Sequence, residues 1–124
     1  MAGGRFKGGE GLDTVFSMHG GTVRGGPGED VVEEMLDGTF EADGGSDAVF
    51  MLQGGTFQGG KRGDTVDSVT GGTFDGGDGR DAVFAMRAGT FDGGDGRDSI
   101  DDCVDRPPAV YLNVEEVTSE PCTP

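Results

Sequence analysis

The stretch GGTFDGGDGRDAVFAMRAGTFDGGDGRDSI, residues 71–100, decides the architecture. Its segment Thr73 to Asp81, TFDGGDGRD, returns unchanged as Thr90 to Asp98, 17 positions later. Written outward from there in rows of 17, the chain aligns Asp13, Asp30, Asp47, Asp64, Asp81 and Asp98 in one column without insertion or deletion. A fixed short period of this kind marks a solenoid, in which each repeat is one turn of the coil.

Three apolar columns accompany the aspartates. Two residues after each stands Val15, Val32, Val49, Val66, Val83 or Ile100; seven before stands Phe6, Val23, Phe40, Phe57, Phe74 or Phe91. Five after stands Met18, Met35, Leu52, Val69, Met86 or Cys103. β-branched and aromatic residues suit buried strand positions, so each repeat reads as short strand, glycine turn, short strand, second turn. One repeat cannot bury its apolar face alone, whereas stacked repeats share a narrow core and pair their strands in parallel. The expectation is an all-β, right-handed parallel β-solenoid of six coils over residues 1–103, roughly 29 Å long at the usual strand spacing of about 4.8 Å. A separate cap or arm is expected over 104–124, because Arg106-Pro107-Pro108 stops the coil and Val110-Tyr-Leu-Asn-Val114 has strand composition.

Composition agrees with a thin coil. Of 124 residues 27 are glycine and 32% are hydrophobic, too little for a broad globular core. With 24 acidic against 9 basic residues the formal charge is −15. Nucleic acid is a poor partner for such a chain, since neutralising phosphates takes lysine and arginine. The N-terminus shows no apolar signal-peptide core and no stretch has the length of a membrane span, so synthesis in the cytoplasm is expected. Cys103 and Cys122 allow one bridge across 18 intervening residues.

The turns before the aspartates read GGEGLD (8–13), GGPGED (25–30), ADGGSD (42–47), GGKRGD (59–64), GGDGRD (76–81) and GGDGRD (93–98). Four of the six fit GGxGxD, and the chain thereby resembles the calcium-binding repeats of repeats-in-toxin proteins, which stack as a parallel β-roll. That resemblance covers residues 6–103. It implies calcium shared between Asp13 and Asp30 and between Asp81 and Asp98, with Asp47 and Asp64 as weaker ligands because Ala42, Asp43 and Arg62 replace motif glycines. Two features depart from the family: a coil of 17 rather than 18 residues, and Lys61, Arg62, Arg80 and Arg97 inside the loops. Carboxylates stacked about 5 Å apart repel by roughly 3 kcal/mol per neighbour at an effective dielectric near 20, so the column requires neutralisation. Calcium is one way; backbone N–H groups of the turns together with arginines are the other.

Three residues after the aspartates the column reads Phe16, Glu33, Phe50, Asp67, Phe84, Asp101. Alternation along a strand turns these rings outward if the valines face in, giving a contact stripe; folding over the corner against the methionines is the alternative. Tyr111 on the tail strand would join the same contact surface. The threonine column, Thr22, Thr39, Thr56, Thr73 and Thr90, resembles the rows of ice-binding solenoids, yet β-propensity alone accounts for it. His19 has no nucleophile column beside it, and no enzymatic activity is expected. The expected role is a structural or binding module docking on a larger protein assembly or surface lattice, such as a virion decoration or accessory protein. A calcium-responsive module is the alternative; such a lone module should be monomeric, whereas an assembly protein should form homo-oligomers or bind a larger shell.

Overall fold

The computed structural model describes residues 4–103, 110–114 and 116–117. The chain forms strands β1 (Arg5–Lys7), β2 (Asp13–Met18), β3 (Thr22–Gly26), β4 (Asp30–Met35), β5 (Thr39–Asp43), β6 (Ala48–Leu52) and β7 (Thr56–Gln58). It continues with β8 (Thr65–Val69), β9 (Thr73–Asp75), β10 (Ala82–Met86), β11 (Thr90–Asp92), β12 (Ser99–Cys103), β13 (Val110–Leu112) and β14 (Glu116–Val117). Odd-numbered strands pair in order in one seven-stranded sheet and even-numbered strands in a second. Every pairing is parallel, and between β1 and β12 every register step is 17 residues, as in Phe57↔Phe74 and Val66↔Val83. The fold is therefore a parallel β-solenoid of about six coils with a 17-residue period. Among the described residues no helix is long and apolar enough to cross a membrane.

Each coil runs through a strand of the first sheet, the GGxGxD turn, a strand of the second sheet and a return turn. Coil-to-coil hydrogen bonds continue through the turns, for example Gly76 N to Asp92 O at 2.8 Å and Thr70 N to Leu52 O at 2.9 Å. The backbone is thus paired along much of each coil, which a thin rod requires because a buried orphan amide is costly. The return turns use Gly21, Gly38, Gly55, Gly72 and Gly89, all with positive φ. In the GGxGxD turns two non-glycine residues occupy the same left-handed slots: Asp43 at φ 71° and Arg62 at φ 72°.

The core lies between the two sheets. Phe40, Phe57, Phe74 and Phe91 stack ring on ring, with centroids 5.0, 4.7 and 4.9 Å apart and planes within 10° of parallel. Opposite them the valine column from Val32 to Ile100 and the methionine column from Met18 to Met86 are fully buried. Phe6 was expected inside with them but is 40% exposed, because its coil is the first and no described residue stacks on its outer side. At the other end the tail extends both sheets: Phe91 registers with Tyr111, and Ile100 with Val117. The second of these steps keeps the period of 17 while the first is 20. Cys122 lies outside the described residues, and with it the Cys103–Cys122 bridge.

Candidate functional site

The aspartates stand two residues before the inward valines, and i, i+2 neighbours on a strand share a face. They accordingly point into the rod. Asp30, Asp47, Asp64, Asp81 and Asp98 are at most 2% exposed. Each takes a hydrogen bond from the amide of the aspartate in the preceding coil. Asp13 N donates to Asp30 Oδ1 at 3.1 Å, and Asp30, Asp47, Asp64 and Asp81 N donate to the Oδ1 of Asp47, Asp64, Asp81 and Asp98 at 2.8 Å. The column is thus a side-chain ladder parallel to the backbone ladder.

The second oxygen is placed differently. Oδ2 of Asp13, Asp30, Asp47, Asp64 and Asp81 is buried and meets no hydrogen-bond donor. It lies over the first glycine of its own turn: a Cβ added at Gly8, Gly25, Gly59 or Gly76 would collide with it. This is why that position is glycine in five of six coils, with Ala42 as the exception. Burial pushes the carboxyls up from the ordinary 3.8, to about 6 at Asp30, about 7 at Asp47, about 8 at Asp64 and about 7 at Asp81. The backbone donor pulls each down, but less than burial pushes it up.

Calcium takes six to eight oxygens at about 2.3–2.6 Å. Two turn carbonyls of the next coil lie on the carboxyl side, Ala42 O beside Gly25 with Asp30 Oδ2 and Gly76 O beside Gly59 with Asp64 Oδ2. Asp43 O, Gly60 O and Gly77 O point along the axis and accept Lys61 N, Asp78 N and Asp95 N of the next coil at 2.8–2.9 Å. Among the described residues no group of three or more His, Cys, Asp or Glu is placed to hold a metal. Asp13, Asp30, Asp81 and Asp98, and equally Asp47 and Asp64, stand in one inward-facing column in which Oδ1 of every member but Asp13 accepts an amide. Lys61, Arg62 and Arg80 sit on the exposed side of the turns. The amide of the preceding coil's aspartate meets Oδ1 of Asp30, Asp47, Asp64, Asp81 and Asp98.

The outer face of the second sheet carries the other candidate. Phe16, Phe50 and Phe84 are 73%, 42% and 46% exposed, and Met51 is 44% exposed. Register pairs on either side, Val15↔Val32 and Ser17↔Glu34, set Phe16 beside Glu33 in the next coil, and the same spacing sets Asp67 between Phe50 and Phe84. A neighbouring row of half-buried small residues, Val31, Ala48, Thr65, Ala82 and Ser99, completes an apolar strip edged with acid. Tyr111 belongs to β13 at the edge of the opposite sheet, with its side chain outside the described set.

On the first sheet the threonine column lies half-buried beside Lys7, Arg24, Glu41, Gln58, Asp75 and Asp92, where Arg24 Nε meets Glu41 Oε2 at 3.0 Å. His19 Nε2 lies 2.9 Å from Ser17 Oγ at the surface. No protein-family model matches the chain, and no curated protein or solved structure matches it.

Proposed function

We propose that this protein is a non-enzymatic structural module that docks through the outer face of its second sheet onto a larger protein assembly. The observation that carries this reading is the exposure of Phe16, Phe50 and Phe84 on a rigid, regularly paired face. Alternate coils place them about 9.6 Å apart, two strand spacings. Large apolar side chains aligned on a surface favour a partner, since each ring buried on contact contributes roughly 1.5–3 kcal/mol before association costs. Glu33, Asp67 and Asp101 interleave with the rings, and the whole chain carries −15. The complementary surface is a protein presenting lysine or arginine beside apolar pockets.

A photo-crosslinking residue at position 50 or 84, introduced in the native host, tests the assignment. One dominant protein adduct is expected from these positions, and none from position 58 on the opposite sheet. With the crosslinker at position 50 and Phe16 and Phe84 both changed to serine, a triple variant, the adduct should be lost while the circular dichroism spectrum stays intact. Adducts distributed equally over both sheets would refute the docking face. Collapse of the triple variant would assign the rings to the fold instead.

A further inference from the structure

Five buried carboxyls stacked one coil apart require neutralisation. We propose that Asp30, Asp47, Asp64 and Asp81 are neutral carboxylic acids in the folded protein in mildly acidic solution, so that the ligand held along the core of the solenoid is a file of protons. This stands independently of the docking face.

The geometry favours protons for three reasons. An ionised carboxylate accepts at both oxygens and donates nothing, so burying it with one donor leaves one oxygen carrying unsatisfied charge. That is the state of these residues if ionised: Oδ1 receives one amide and Oδ2 receives nothing. A neutral acid changes what Oδ2 requires. Its O–H needs only an acceptor, and adjacent aspartates of the column are within side-chain hydrogen-bonding reach of one another, Asp30 of Asp13, Asp64 of Asp47 and Asp81 of Asp98.

Second, the charges acting on these groups are acids. They are Asp13 on Asp30, Asp30 and Asp43 on Asp47, Asp47 and Asp81 on Asp64, and Asp98 and Asp75 on Asp81. Lys61, Arg62 and Arg80 belong to the same turns but lie on their exposed side, and the glycines facing Oδ2 carry no charge. Like charges in a dry file cannot all remain ionised. Third, the raised affinity for protons peaks in the middle of the column, at Asp64, where burial and two flanking acids combine.

Below the unfolded value of 3.8 both states hold the protons; between there and about 6–8 the unfolded chain releases them and the fold retains them. Stability is therefore greatest in acid and is lost as pH rises through the folded values. Each retained proton shifts the folding constant tenfold per pH unit.

The experiment is urea unfolding of the full chain at pH 5, 6.5 and 8, in EDTA and again with millimolar calcium, for the wild type and Asp64→Asn. Asparagine has the shape of the neutral acid, can still accept the Asp47 amide and titrates nothing. The wild type is expected to lose stability from pH 5 to pH 8 in EDTA. The variant should match it at pH 5, exceed it at pH 8 and show a slope about tenfold per pH unit shallower. Equal losses for the variant at all three pH values would overturn the proposal, as would a wild type insensitive to pH. Stabilisation of the wild type, but not the variant, by calcium at pH 8 would assign the column to metal and also overturn it. Should the variant fail to fold, infrared spectroscopy of the wild type at pH 6 decides: a protonated-carboxyl carbonyl band is expected, and its absence refutes the proton file.

Discussion

Replacing Phe57 by alanine probes how the coils hold one another. The ring is fully buried, 5.0 Å from Phe40 and 4.7 Å from Phe74. Deleting a buried phenylalanine costs about 3–5 kcal/mol, and the cost rises with the cavity that remains. Here the cavity cannot close. The flanking rings are fixed by backbone registers Phe40↔Phe57 and Phe57↔Phe74, and moving them together would break both ladders. Two ring stacks, worth about 0.5–1.5 kcal/mol each beyond area, disappear with the side chain. The loss should lie at the upper end, about 4–5 kcal/mol. With a urea dependence of about 1.5–2 kcal/mol per molar for a domain this size, the midpoint should fall by about 2–3 M. Phe6 is the internal comparison: it is 40% exposed and has a neighbouring coil on one side only. Its alanine variant should lose about 1–2 kcal/mol by the same area argument. Urea titration followed by far-ultraviolet circular dichroism at pH 6 measures both. Equal losses at the two positions, or less than 1 kcal/mol at Phe57, would refute a core built from shared nearest-neighbour contacts.

Other substitutions test other parts of the coil. Arg62 holds a left-handed backbone at φ 72° where most other coils have glycine; Arg62→Gly should stabilise the protein by about 1 kcal/mol in the same titration. Val66→Asp places a carboxyl among fully buried apolar side chains and should unfold the middle coils. Amide exchange would show this as lost protection across β6 to β10, and wild-type protection would contradict the core assignment.

The solenoid was legible in the sequence because its period is unbroken: one column of aspartates and three apolar columns at 17-residue spacing fix both register and core. The outward placement of Phe16, Phe50 and Phe84 followed from alternation, since Val15 faces in and Phe16 out. The aspartate column was legible only in part. Asp13 and Val15 are i, i+2 neighbours, and that parity already directs the carboxyl inward, whereas the motif's resemblance to a calcium loop directs attention to the turn. Which donor meets Oδ1 could not be read from one repeat, because Asp64 N and Asp81 Oδ1 belong to different coils and meet only on stacking. Phe6 shows the same limit from the other side. Its column predicts burial, and only its position at the end of the stack exposes it. The tail departs from the period at Tyr111 and returns to it at Val117, a three-residue offset for which the repeat contains no signal.

The most direct measurement of the central claim, that coils are joined by a buried column of acids, is a carbon-13 NMR titration of the aspartate side-chain carboxyls in the intact protein. Asp30, Asp47, Asp64 and Asp81 should titrate above the ordinary 3.8, near 6 for Asp30, 7 for Asp47 and Asp81, and 8 for Asp64, with assignments made from single Asp→Asn variants. Titration of all aspartates near 3.8 in a chain that remains folded would contradict it.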